Sequence, residues 1–156
     1  MRPNRSIPAA PVVPVLTYAD VRGAVDWLTA AFGFAERVRI GDAHRSQMHA
    51  GDGAVIIADV RGARRPPRPG EVTHSVMVRV DDVRAHCAHA RRHGARIVDE
   101  PTEFPYGECQ YMAEDLAGHL WTFSETIADV APESWGGQTI ADDTGPRPRG
   151  GPTPGR

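Results

Sequence analysis

The chain has 156 residues, 40% apolar and 24% charged, with a formal net charge of −2. That length favours one domain or two very small halves, and buries roughly two-thirds of its unfolded surface without staples. The charge gives no pull toward nucleic acid or an anionic membrane. The two cysteines, Cys87 and Cys109, form neither a disulfide framework nor a C-x-x-C pair. Prolines break up the first fourteen residues, and no apolar run approaches membrane-spanning length. The expectation is a cytoplasmic protein without signal or anchor.

In chain order, residues 1–11 are Pro-rich and read as a flexible arm. Val12 to Tyr18 reads as a strand, with Pro14 arguing for an edge or strand-start position. Asp20 stands where an N-cap belongs, ahead of the stripe Val21, Val25, Leu28 and Phe32 at helical spacing, and Gly33 supplies the stop. Strands are expected at Ala35–Ile40 and Arg45–Ala50, then at 54–60 after the hairpin turn Gly51-Asp52-Gly53. Residues 61–72, containing RGARRPPRPG, form a linker.

The same order then returns. Thr73–Val80 reads as a strand, Asp82 as a cap, and Val83, Cys87, Ala90 and Gly94 as the stripe of a second helix. Strands follow at Ala95–Val98 and Cys109–Glu114. Asp115 to Gly118 turns into a strand alternating Leu120, Thr122 and Ser124 with Trp121 and Phe123. Asp20-Val21-Arg22 is repeated as Asp82-Val83-Arg84, and Gly53 meets Gly118 if the second copy has gained a few residues within Pro101 to Gly107. The fold class is therefore α+β, with two tandem βαβββ modules (about 12–60 and 73–127) forming a cupped mixed sheet with helices outside. Residues 128–137 form an extension that Trp135 docks on the domain. Residues 138–156, ending in a Gly/Pro/Arg run, are expected to be disordered.

Two βαβββ copies with Asp-opened helices, closed by Asp-x-x-Gly-His-x-Trp-x-Phe (Asp115 to Phe123), resemble the vicinal oxygen chelate superfamily. That group contains glyoxalase I, bleomycin-resistance proteins and extradiol dioxygenases. Leu116 departs from the Pro usual in that turn. The resemblance implies a homodimer with clefts completed by both chains. It also implies four metal-ligand positions in the metal-dependent branches, and these fall on Val13, Ile57, Ser75 and Thr122. Aliphatic and hydroxyl side chains are poor ligands for a divalent ion, so no cofactor is expected and a divalent metal is disfavoured. His74, one residue before Ser75, is the only nearby imidazole.

With those positions fixing the pleat, the concave face carries Val13, Val15 and Thr17; Val55, Ile57 and Asp59; Ser75, Met77 and Arg79; and Leu120, Thr122 and Ser124. Leu16, Tyr18, Ile56, Val76, Val78, Val80, Trp121 and Phe123 face the helices. Arg79 offers a guanidinium to carboxylate or phosphate, or else simply reaches solvent. Met77 and Leu120 pack on a ligand or fill the cleft. The loop Phe104 to Glu108 is a candidate lid, with Tyr106 stacking on ligand or pinning the loop. Tyr111 joins the candidate contacts with its face open. His86, His89 and His93 read as a solvated helix flank, Cys87 as an inert core thiol. The leading expectation is a glyoxalase/bleomycin-resistance-like protein that binds a small molecule without metal. The alternatives are a lyase or isomerase of glyoxalase type, using a metal held by His74 with Asp59 or Glu125 or else acid–base chemistry without metal, and an interaction module whose cleft is filled.

Overall fold

The computed structural model describes residues 4–68 and 70–140. It contains two four-stranded sheets, each crossed by one helix. The first module is β1 (Val15–Thr17), α1 (Val21–Phe32), β2 (Ala35–Ile40), β3 (Arg45–Ala50) and β4 (Gly53–Ala58). The second is β5 (Val76–Arg79), α2 (Val83–Arg92), β6 (Arg96–Phe104), β7 (Glu108–Glu114) and β8 (Leu120–Thr126), followed by a 3-10 turn at Pro132–Trp135. The sheet orders are β1-β4-β3-β2 and β5-β8-β7-β6. In each sheet the first strand runs parallel to the last, and the other pairings are antiparallel. The repeat seen in the residues is thus a repeat of topology.

Both helices start where their caps stand. Asp20 accepts from Gly23 N at 3.0 Å and Asp82 from Ala85 N at 2.8 Å. α1 ends at Gly33, whose φ of 73° lies in the left-handed region that a Cβ disfavours. Their apolar stripes pack on one face of each sheet, and α1 and α2 also meet each other. The core is therefore continuous across the modules, from Leu16, Val25, Leu28 and Met48 to Val83, Tyr111, Trp121 and Phe123. Phe32 bridges them, its ring edge-on to Trp121 at 5.7 Å and to Phe123 at 4.8 Å. Among the described residues, no helix is long and apolar enough to cross a membrane.

Four expectations need correction. The strand expected at Ala95–Val98 runs on to Phe104, because register shifts between Ile97 and Asp99 and between Asp99 and Thr102 absorb the added residues as bulges. The candidate lid is accordingly a short turn at Pro105–Gly107. The arm is not loose over its described length. Arg5 O accepts from Arg37 at 2.6 Å, Ser6 O accepts from Gln47 Nε2 at 2.8 Å, and Pro8 is buried.

His86 is not on a solvated flank. Its Nε2 donates to Phe32 O at 3.1 Å, its Nδ1 meets Tyr111 Oη at 2.7 Å, and burial lowers its pKa. His89 Nε2 likewise donates to Ala30 O at 2.7 Å, so two imidazoles satisfy carbonyls at the α1 C-terminus. The fourth correction is to β4. Gly53 already pairs with Ala50 inside the hairpin, and the residue with positive φ is Gly51 (58°). Leu16 pairs with Ile57 and Val15 with Ile56, so Val55 and Ile57 lie on the helix side, essentially fully buried. Of the expected disordered tail, residues 141–156 lie outside the described residues.

Candidate functional site

Each sheet has one face turned away from its helix. On the first, the face carries Val15, Ile56 and Gln47 in one row. Gln47 is buried beneath the arm, held by Ser6 O and by Arg37 Nη1 at 2.5 Å. The described part of the arm therefore covers the Gln47 end of this face, while Val15 stays exposed. The helix-free face of the second sheet bears its site-candidate side chains without such a cover among the described residues.

Strand pairing lays out that second face in rows. Met77, Thr122 and Met112 form one row, Arg79, Ser124 and Gln110 the next, and Thr126 and Glu108 the one after. Leu120 lies beside Glu114 at the opposite end. The structure thus brings together Ser75, Met77, Arg79, Leu120, Thr122 and Ser124, all predicted from the period of two. Ser75 Oγ and Thr122 Oγ1 are 3.0 Å apart, so the two family ligand positions of this module bond to each other. Ser124 is fully buried and donates to Glu108 Oε2 at 2.8 Å; Gln110 Nε2 donates to the same oxygen at 2.6 Å. Arg79 donates to Thr126 Oγ1.

Glu108, Gln110 and Met112 were missed, although β7 alternates Glu108, Gln110 and Met112 with Cys109, Tyr111 and Ala113 in plain period two. Tyr111 belongs to the other set. It stacks on Phe123 at 5.1 Å and is 1% exposed, so its place is the core and not the cleft. Burial pushes its phenol pKa up. Tyr106 is stacked on Phe104 at 5.1 Å with Trp135 edge-on at 5.5 Å. Those contacts pin the turn and dock the C-terminal extension.

A crevice of about 880 Å³ runs along β5, bounded by Val12, Pro14, the hairpin Ala50–Gly53, Val76, Met77, Arg79 and Thr126. A smaller one, about 240 Å³, lies on the opposite side, where Val15 to Thr17 face Pro67, His74 and His119. His74 is exposed there and belongs to this second crevice. Asp59 accepts from His44 Nδ1 at 3.1 Å, and Glu125 from Val83 N at 2.8 Å, at the start of α2. These three side chains do not form one site.

The structural counterpart of Thr122 in the first module is Ile56, since Val15 pairs with Ile56 as Met77 pairs with Thr122. The four family ligand positions are then Val13, Ile56, Ser75 and Thr122. Two aliphatics and two mutually bonded hydroxyls do not fit a divalent ion. Among the described residues, no three His, Cys, Asp or Glu side chains gather closely enough to hold a metal.

The closing motif has a mechanical role. Asp115 is buried and accepts from Ala117 N at 2.9 Å and His119 N at 3.0 Å through Oδ1. Its Oδ2 accepts from Trp121 Nε1 at 2.9 Å and Tyr18 Oη at 2.6 Å. His119 Nε2 donates to Thr17 O at 2.8 Å. The second module's turn thereby grips the end of the first module's opening strand. Burial, with the adjacent Asp115, drives the Tyr18 phenol pKa up and keeps it a donor.

Paired βαβββ modules with this β-α-β-β-β order define a vicinal oxygen chelate domain. The chain matches the model of the Glyoxalase/Bleomycin resistance protein/Dioxygenase superfamily over residues 11–123, and it belongs to that superfamily. TioX from Micromonospora sp. ML1 is 33% identical, covering 74% of this chain and 98% of that one at a TM-score of 0.63. TnmS3, an antibiotic binding protein from Streptomyces sp. CB03234, is 23% identical over 73% of this chain and 93% of its own, with a TM-score of 0.59. A glyoxalase/bleomycin resistance protein from the same Streptomyces is also 23% identical, over 72% and 97%, at 0.59. These last two likenesses show the shared fold. No curated protein matches the chain.

Proposed function

We propose that this protein binds a small organic molecule in the β5 crevice and on the adjoining helix-free face of the second sheet, without a metal and without turnover. The observation that carries this reading is the composition of the crevice. Val12, Pro14, Val76 and Met77 offer apolar contact, and Arg79 and Thr126 supply polar groups beside the carboxylates of Asp52, Asp81 and Glu125. Its volume of about 880 Å³ suits a drug-sized guest. Sequestration needs complementarity and no activated nucleophile. Cys87 and Cys109 are buried, and burial pushes the Cys87 thiol pKa up. The likeness to TnmS3 supports a binding role, antibiotics being the natural first ligands to try.

The working unit in this reading is a cytoplasmic homodimer. Val15, which does not line that crevice, is 44% exposed on the edge strand β1, and a second copy docked there would wall the crevice from its open side.

The test is a thermal-shift screen against structurally diverse antibiotics, followed by calorimetry on any hit. A ligand at a hundred times its Kd stabilises by about 2.7 kcal/mol, worth several degrees in a domain of this size. If no compound moves the melting temperature while mass spectrometry detects conversion of one, the chain is a glyoxalase-type lyase or isomerase instead.

A further inference from the structure

Two opposite charges on the helix-free face of the second sheet are held apart. Glu108 takes both of its hydrogen bonds, from Ser124 and Gln110, on Oε2. That fixes the carboxylate while leaving Oε1 without a donor among the described residues. Arg79 is anchored on Thr126, a neutral partner. Other charges of this sheet do find opposite partners: Arg96 pairs with Glu114 across β6 and β7, and Glu103 pairs with Arg84 of α2. Among the described residues, Glu108 and Arg79 engage no ion of opposite sign.

Their separation follows from the strand register. Thr126 and Glu108 are direct cross-strand partners, so their Cβ atoms stand about 4.5–5.5 Å apart. Arg79 reaches Thr126 from the other side, across β8. The guanidinium and the free carboxylate oxygen thus flank Thr126 on one face. Beside them, the row of Met77, Thr122 and Met112 offers two polarisable thioethers for an apolar body. Asp99 sits on the outer strand in the Met112 row, beyond the pair, and Asp81 belongs to the crevice wall.

A purely cationic guest on Glu108 would meet the field of Arg79, and a purely anionic guest on Arg79 would meet that of Glu108. A molecule carrying both charges complements both. We infer that the site selects a zwitterionic ligand, with a protonated amine on Glu108 Oε1, a carboxylate on Arg79, and an apolar body over Met77 and Met112. An amino acid derivative or short peptide with free termini has this chemistry, and a dipeptide spreads its charges over about one to two strand spacings of roughly 5 Å. The guanidinium fork suits a carboxylate in particular. This deepens the binding role proposed above and rests on it.

The experiment uses one skeleton in four charge states: phenylalanyl-phenylalanine, its N-acetyl form, its C-terminal amide, and the form blocked at both ends. Calorimetry is run on the full chain and on Glu108→Gln and Arg79→Gln, with melting temperatures verifying that both variants fold. Glu108→Gln keeps an acceptor for Ser124, and Arg79 is exposed, so neither change empties the core. The zwitterion is expected to bind the wild type at least tenfold more tightly than any blocked form. In Glu108→Gln the penalty for acetylation should vanish while the penalty for amidation persists, and Arg79→Gln should do the reverse. Blocked forms binding as well as the zwitterion, or variants that keep the wild-type order, would overturn the inference while leaving small-molecule binding standing. Failure of all four forms would overturn it too, and the antibiotic screen then judges the binding role separately.

Discussion

Asp115 shows how one residue can fix the relation between two modules. Its carboxylate accepts four hydrogen bonds, two from its own turn, one from Trp121 and one from Tyr18 of the first module. Asp115→Ala would strand several buried donors, each costing about 1–3 kcal/mol. A loss above about 3 kcal/mol is expected in urea unfolding. His86 gives a second prediction at this scale. Burial lowers its pKa in the folded chain, so below about pH 6.5 the unfolded chain binds the extra proton more readily. Stability should be full above that pH and fall as the pH drops. His86→Phe should lower stability overall and flatten this limb in denaturation curves measured from pH 7 to 5. A lower limb belongs to Glu36, whose carboxyl is held at about 2 by hydrogen bonds from Arg39, Arg22 and Ser46 against the opposing effect of burial. Its contribution is present above about pH 4.5 and is lost as the pH falls toward 2.

Among the elements, the turn between β6 and β7 couples the second sheet to the C-terminal extension. Gly107 has a φ of 81°, and its carbonyl accepts from Ile127 N at 2.8 Å and Ala128 N at 3.1 Å. A Cβ there would collide with Ala128 O as well as strain the backbone. Gly107→Ala is expected to displace the extension and free Trp135 from Tyr106. A red shift of tryptophan emission, with loss of about 1–3 kcal/mol of stability, would register it. The arm makes the contrasting element. By covering Gln47 on the first sheet and nothing comparable among the described residues of the second, it makes two modules of common topology present different faces.

For the whole molecule, the expected assembly is a dimer, since the exposed Val15 lies on the edge strand β1 beside the crevice. Sedimentation velocity on the full chain should show it, and Val15→Glu should shift the distribution toward monomer. Elemental mass spectrometry on protein purified without chelators should find metal far below one ion per chain. Near-stoichiometric metal would contradict the binding role in its metal-free form and direct attention to a ligand set outside Val13, Ile56, Ser75 and Thr122.

The sequence by itself determined the duplicated βαβββ order, both helices with their Asp caps, and most strands of each sheet. Those features rest on signals that operate within a few residues: a cap three residues from its amide, a stripe at three and four, an alternation at two. The alternation also placed Ser75, Met77, Arg79, Thr122 and Ser124 on one face. Only the tertiary structure decided the rest. Whether Ile56 or Ile57 faces the helix depended on how Gly53 pairs across the hairpin, a choice that two nearby glycines leave open to local reading. His86 is shielded because α1 of the other module ends against it, and Tyr111 because Phe123 lies beside it. Glu108 shares the period-two alternation of β7 with Gln110, but its anchoring in the candidate site comes from Ser124 on β8. Burial and partnership are properties of elements distant along the chain, so no window of sequence around these residues contains them.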